Sequence, residues 1–162
     1  MNIDADEEVS KELSEEIKWV FENKEYEDFY GYRIKIVNRF RFEETPKALA
    51  YYYNQLRLYN KEFAGFKNSK VHDSVKLKIN DKSKINQLQD IIYHQSFRSI
   101  EHWIEKINFY STMQAEDNFA KGKNASIAKT LLTPTVAFFK AYFIRRYFIY
   151  GFAGFVYSYI FA

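Results

Sequence analysis

Two aspartates one residue apart, Asp4 and Asp6 in "MNIDADEEVS", are the residues of this chain whose type and spacing point most directly to chemistry. Carboxylates at i, i+2 at a strand end can face one divalent cation, directly or through water, and that cation neutralises a diphosphate. Acidic pairs of the same spacing also decorate solvated surfaces, so spacing alone leaves both readings open. The chain has no cysteine, which removes disulfides, thiolate catalysis and cysteine zinc sites and fits a reducing compartment. The acidic N-terminus does not read as a secretory signal.

The elements that must position such a pair follow from the hydrophobic pattern. Ser10 to about Lys24 carries Leu13, Ile17, Val20 and Phe21 at helical spacing, with Ser10 as N-cap and glutamates in the first turns. In "GYRIKIVNRF", Tyr32, Ile34 and Ile36 alternate with Arg33, Lys35 and Val37, the period of a half-buried strand entered through Gly31. "QLRLYN" at 55 to 60 and "VHDSVKLKI" at 71 to 79 are shorter strand candidates. From Ser96 the pattern turns helical, with Ile100, Trp103, Ile104, Ile107, Tyr110 and Gln114 near one face, a cap at Ser96 or Ser99, and Gly122 as the stop.

Composition bounds the class. The 162 residues suit one folded unit with room for an appendage, and a 20% aromatic share argues against disorder. The net charge of +3 hides a polarity. Residues 1 to 30 hold eleven acids against three lysines, whereas after Asp117 there is no acid, and Lys121, Lys123, Lys129, Lys140, Arg145 and Arg146 accumulate. Such a basic, aromatic tail suits an anionic partner. A nucleic acid is disfavoured, because these cations cluster with bulky apolar runs and no recognition motif is present. The uninterrupted apolar stretch from Tyr147 to Ala162 is shorter than the roughly 20 residues of a spanning helix. It reads as a helix lying in a membrane interface with Arg145 and Arg146 at lipid phosphates, or as a buried C-terminal hairpin.

Several stretches together resemble the family 2 bacterial glycosyltransferases, in the branch that acts in lipopolysaccharide-core and surface-polysaccharide synthesis. "NIDADEEVSKELSEEI" resembles the family's Asp-x-Asp region. "QLRLYNKEF" is similar to its Arg-Leu-Phe strand, "VHDSV" to its Val-His-Glu segment, and "YHQSFRSIEHWIEKINFYSTMQAEDNFAKGK" to its His-x-Ser helix. "FFKAYFIRRYFIYGFAGFVYSYIFA" resembles its C-terminal Gly-x-x-Gly element. The resemblance implies an α/β fold, α+β within this stretch: a partial GT-A-like domain over 1 to 95, followed by a helical region over 96 to 162 with a membrane-associating tail. In the family a nucleotide-binding half precedes the Asp-x-Asp, so the chain is expected to correspond to the C-terminal part and to turn over little by itself.

What the resemblance implies for single residues is specific. Asp6 and His72 would hold a divalent metal, Mg or Mn, and Asp4 would lie nearer the ribose or sugar of a nucleotide-sugar donor. Arg57 would pair with donor phosphate, or serve as a structural ion-pair partner. Asp73, where the family more often has Glu, would accept the proton of the attacking acceptor hydroxyl. His94 and Ser96 would orient the site wall or cap the following helix, and His102 would be exposed. The expected partners are the donor, a glycolipid or saccharide acceptor, the inner membrane surface and a separately encoded N-terminal half, with the protein cytoplasmic and peripheral at the inner face of the bacterial cytoplasmic membrane. The alternative is a non-catalytic membrane-associated or partner-binding fragment.

Overall fold

The computed structural model describes residues 1 to 162 apart from 41, 42, 44, 67–74, 79, 80 and 125, and the side chains of 96 and 97. Helices and sheets are both present, the α/β class expected. The chain divides into two compact units, Met1–Arg39 with Tyr52–Gln95, and Phe40–Tyr51 with Ser96–Ala162.

In the first unit a short strand, β1 (Glu7–Val9), leads into helix α1 (Lys11–Glu22). Ser10 caps the helix as expected, its hydroxyl oxygen accepting the Leu13 amide at 3.1 Å. Strands β2 (Gly31–Phe40), β3 (Tyr52–Tyr59), β4 (Ala64–Phe66), β5 (Val75–Leu77) and β6 (Ile85–Phe97) follow. The main sheet has the order β1-β6-β2-β3, and β4 pairs with β5 in a separate ribbon. Leu13 and Val20 of α1 are buried with Tyr32, Ile34, Ile36, Leu58, Leu88 and Ile92, so the alternating apolar face of β2 meets the helix stripe.

β6 was not legible in advance. Its thirteen residues include Asn86, Gln87, Gln89 and Asp90, types that strands disfavour. The Glu16 carboxylate of α1 offsets this by accepting the amides of Gln89 at 2.9 Å and Asp90 at 3.0 Å. β5 covers residues 75 to 77 of the expected 71 to 79 strand, Lys78 follows in a bend, and 71–74 and 79 lie outside the described residues.

The antiparallel register of β2 and β3 steps from Tyr32↔Leu58 to Arg33↔Leu56, which makes Arg57 the extra residue of a bulge. Gly31 stands where β3 crowds the backbone: a Cβ there would meet Leu56 Cδ1 at 2.8 Å and the Leu58 carbonyl oxygen at 2.9 Å.

The second unit is helical. α2 (Ile100–Ala120) is capped by Ser99, whose hydroxyl oxygen accepts the His102 amide at 3.1 Å, and Gly122 with φ 67° follows its end. Of its predicted apolar face only Trp103 is buried; Ile100, Ile104 and Tyr110 are exposed. α3 (Ile127–Phe139) runs through Pro134 into a π turn, Lys140–Ile144, and a 3-10 turn, Tyr147–Tyr150, precedes α4 (Gly151–Phe161). Tyr147, Tyr150, Trp103, Ala141 and Phe40 form the core, with Tyr157 packed against it. The tail is therefore in part the buried hairpin, and α3 is the element whose apolar residues stay exposed, among them Leu131, Leu132, Val136 and Phe139.

Candidate functional site

The acidic pair lies in a turn and not at the end of a strand. The Glu7 amide donates to the Asp4 carbonyl at 3.0 Å, and the Asp4 amide donates to the Glu7 carboxylate at 3.0 Å, closing a tight loop from Asp4 to Glu7. Two anchors fix it. The Asn2 amide donates to the Arg57 carbonyl at 2.8 Å, and the Gln95 amide donates to the Asp6 carbonyl at 2.8 Å. β1 then pairs antiparallel with β6, setting Glu7 opposite His94. The segment that carries Asp4 and Asp6 is thus held at one end by β3 and at the other by β6.

The bulge at Arg57 gives its guanidinium two carboxylates. Nη2 donates to Asp4 Oδ2 at 3.0 Å and to Glu7 Oε1. The Arg57 side chain is 7% exposed and that of Glu7 is 0% exposed, whereas Asp4 is 56% exposed. Glu7 is thus a buried carboxylate matched by Arg57, and Asp4 keeps solvent-facing surface. Arg57 Nε is buried and makes no hydrogen bond.

Asp6 belongs to a second polar chain. Its Oδ2 lies 3.2 Å from His94 Nε2. His94 Nδ1 lies 2.8 Å from the Tyr53 hydroxyl and 3.1 Å from Asn38 Oδ1. With the proton on Nε2, the imidazole donates to Asp6 and accepts from Tyr53; a second proton, on Nδ1, makes that nitrogen a donor to Asn38. Burial, and after it the Glu7 carboxylate, pushes the Tyr53 hydroxyl up from its ordinary range, so it stays a proton donor.

The structure therefore brings Asp4 to Arg57 and Asp6 to His94 within the first unit. His72 and Asp73 lie outside the described residues. Arg57 makes ion pairs with Asp4 and Glu7. His94 sits beside Asp6 in the sheet, and the helix cap falls to Ser99. His102 is half-buried with its Nδ1 enclosed and unbonded, where exposure was expected. Tyr53 and Asn38 were missed, because only the strand order β1-β6-β2-β3 brings them to His94 and so to Asp6, and Glu7 was missed because its burial against Arg57 of β3 is a tertiary contact. Among the described residues no group of three histidine or acidic side chains is arranged to hold a metal ion.

Over its whole length the chain is 44% identical to an uncharacterized glycosyltransferase of Rickettsia bellii, covering 57% of that protein. It is likewise 44% identical to an uncharacterized glycosyltransferase of Rickettsia felis, covering 59% of it. The chain thus spans less than two thirds of the length of the curated relatives it matches. No family model matches the chain, and no solved structure does.

Proposed function

We propose that the chain is part of a metal-dependent, inverting glycosyltransferase of the family 2 type. It would transfer a sugar from a nucleotide-sugar donor to a lipid-linked or lipopolysaccharide and surface-polysaccharide acceptor at the inner face of the cytoplasmic membrane. The observation that carries the reading is the end-to-end similarity to proteins named as glycosyltransferases. The site geometry supports it. Asp4, Asp6 and Glu7 set three carboxylates against one cation, Arg57, with His94 beside Asp6.

That excess of oxygen donors fits a magnesium or manganese ion held by one or two carboxylates and completed by substrate phosphates, without a preformed protein cage. Asp6, with Asp4 or His94 beside it, would hold the ion, which when bound supplies positive charge to the departing nucleoside diphosphate. The chain's own residues do the rest. Arg57 and Glu7 lock the turn that carries both aspartates. Tyr53 and Asn38 fix the ring of His94 from behind. Asp73 accepts the proton of the acceptor hydroxyl in an in-line displacement.

The test combines the purified chain with the portion of a relative that it does not cover, and follows nucleoside diphosphate release from a panel of nucleotide sugars. Asp6→Asn is expected to lower the rate by about 100-fold or more, the usual loss when a charge-stabilising group is removed. Titration with Mn2+ and a nucleoside diphosphate should show binding that Asp4→Asn and Asp6→Asn weaken. Absence of both release and binding in the unsubstituted protein would end the reading. It would favour instead a non-catalytic membrane-associated or partner-binding fragment, for which the exposed apolar surface of α3 is the supporting observation.

A further inference from the structure

The exposed part of the second unit has a definite pattern. On a helix of 3.6 residues per turn, Lys129, Thr133 and Lys140 fall on one narrow stripe. Ile127, Leu131, Leu132, Val136 and Phe139 occupy the adjoining arc, and all five are more than half exposed. Beside the lysine stripe runs a groove of about 440 Å³, lined by Lys129, Leu132, Val136, Lys140, Arg145 and Phe161 among others. The Arg145 guanidinium lies over the Phe161 ring at 4.3 Å. None of Lys129, Lys140 and Arg145 makes an ion pair with a carboxylate among the described residues. No acid follows Asp117 in the sequence.

The geometry points to α3 and its π turn as an in-plane docking surface for an anionic phospholipid bilayer, with Lys129, Lys140 and Arg145 at the lipid phosphates and the adjoining arc among the acyl chains. The inference rests on the proposed reading for its biological sense, since a lipid-linked acceptor requires an enzyme held at the lipid surface. The occupant is argued from charge and apolarity together. Three uncompensated cations call for anions, and the continuous apolar arc calls for hydrocarbon at the same level, a combination that a phospholipid surface supplies.

Orientation follows from the same residues. The eighteen residues Ile127–Ile144 are long and apolar enough to cross a membrane. Crossing would draw Lys129 and Lys140 into hydrocarbon, whereas lying flat leaves both at the phosphate level while the apolar arc is buried. Pro134 does not oppose this arrangement, because the helix continues through it.

The experiment is flotation of the purified chain with vesicles of phosphatidylcholine alone and of phosphatidylcholine mixed with phosphatidylglycerol. Binding is expected to the mixed vesicles, to weaken as salt is raised, and to fall roughly 100-fold when Lys129→Gln, Lys140→Gln and Arg145→Gln are combined. Leu132→Ser with Val136→Ser should also lower binding, through the lost apolar contact. Equal binding to both vesicle types that the neutralised variant retains would overturn the proposal, as would an absence of vesicle binding with the face buried in self-association. Lys129, Lys140, Leu132 and Val136 are exposed and Arg145 is half-buried against Phe161, so Trp103 fluorescence checks that the unit remains folded. Nucleotide and Mn2+ binding separates the two ideas. Lost vesicle binding with intact nucleotide binding sinks the docking surface alone, and the reverse result sinks the catalytic reading alone.

Discussion

Glu7 and Arg57 show how much one charge depends on the other. The Glu7 carboxylate has no exposed surface, and the Arg57 guanidinium reaches it from the bulge of β3. Arg57→Met leaves that carboxylate buried without its cation, and should cost about 3–5 kcal/mol, measured by urea denaturation. Adding Glu7→Gln to the same chain should recover part of the loss, because the stranded charge is then gone. Glu43 gives a pH signature of opposite origin. Burial holds its carboxyl above the ordinary carboxylate range, only partly opposed by the Phe40 backbone and Lys47, and its Oε2 makes no hydrogen bond. The folded state therefore keeps a proton that the unfolded chain releases, so stability declines as pH rises from the ordinary carboxylate range through the raised value. Thermal unfolding across that window should show the decline, and Glu43→Gln should flatten it.

Two glycines decide contacts between elements. At Gly31, β2 runs so close to β3 that an added methyl would overlap Leu56 and the Leu58 carbonyl, and Gly31→Ala should cost about 1–3 kcal/mol in denaturant unfolding. At Gly154, α4 rests on the 3-10 turn, and an ideal Cβ would lie 1.7 Å from the Tyr147 carbonyl oxygen. Backbone cannot swing aside as a leucine tip can, so Gly154→Ala should destabilise more than Gly31→Ala in the same assay. The sequence resemblance singled out Gly151 and Gly154 as a pair, but their reasons differ. Gly151 has φ 59° and open space around it, whereas Gly154 is needed for close approach. The elements themselves were partly legible. α1, β2 and β3 announce themselves because their apolar residues recur at the period of the element. β6 does not, since its polar residues are stabilised by Glu16 and by neighbouring strands.

For the molecule as a whole, the division of charge matches the division of labour proposed for the two units. Acids concentrate in the first thirty residues, where the Asp4–Glu7 turn lies, and cations gather in the tail, where Lys129 of α3 and Lys140 of the π turn line one groove. A site rich in carboxylates suits a cation with a phosphate-bearing donor, and a surface rich in cations suits phosphates of lipid. The chain spans 57% of the length of the Rickettsia bellii relative, and the transfer reaction is proposed on that similarity. Complementation, not assay of the chain in isolation, is therefore the informative measurement of catalysis.

By itself the sequence determined the helix cap at Ser10, the alternating strand at Gly31–Phe40 and the long capped helix that ends before Gly122, whereas Asp4, Asp6 and Arg57 were singled out through the family resemblance. These are local facts, set by periodicity, capping chemistry and charge within a few residues. Only the tertiary structure decided that Arg57 spends its guanidinium on Asp4 and Glu7, and that His94 stands beside Asp6 with Tyr53 and Asn38 behind it. Those partners lie 41 to 88 residues apart in the chain and meet through strand pairing, and no local pattern encodes which strand comes to lie beside which. Register and the bulge at Arg57 made the choice, because a one-residue step along a strand turns a side chain to the opposite face.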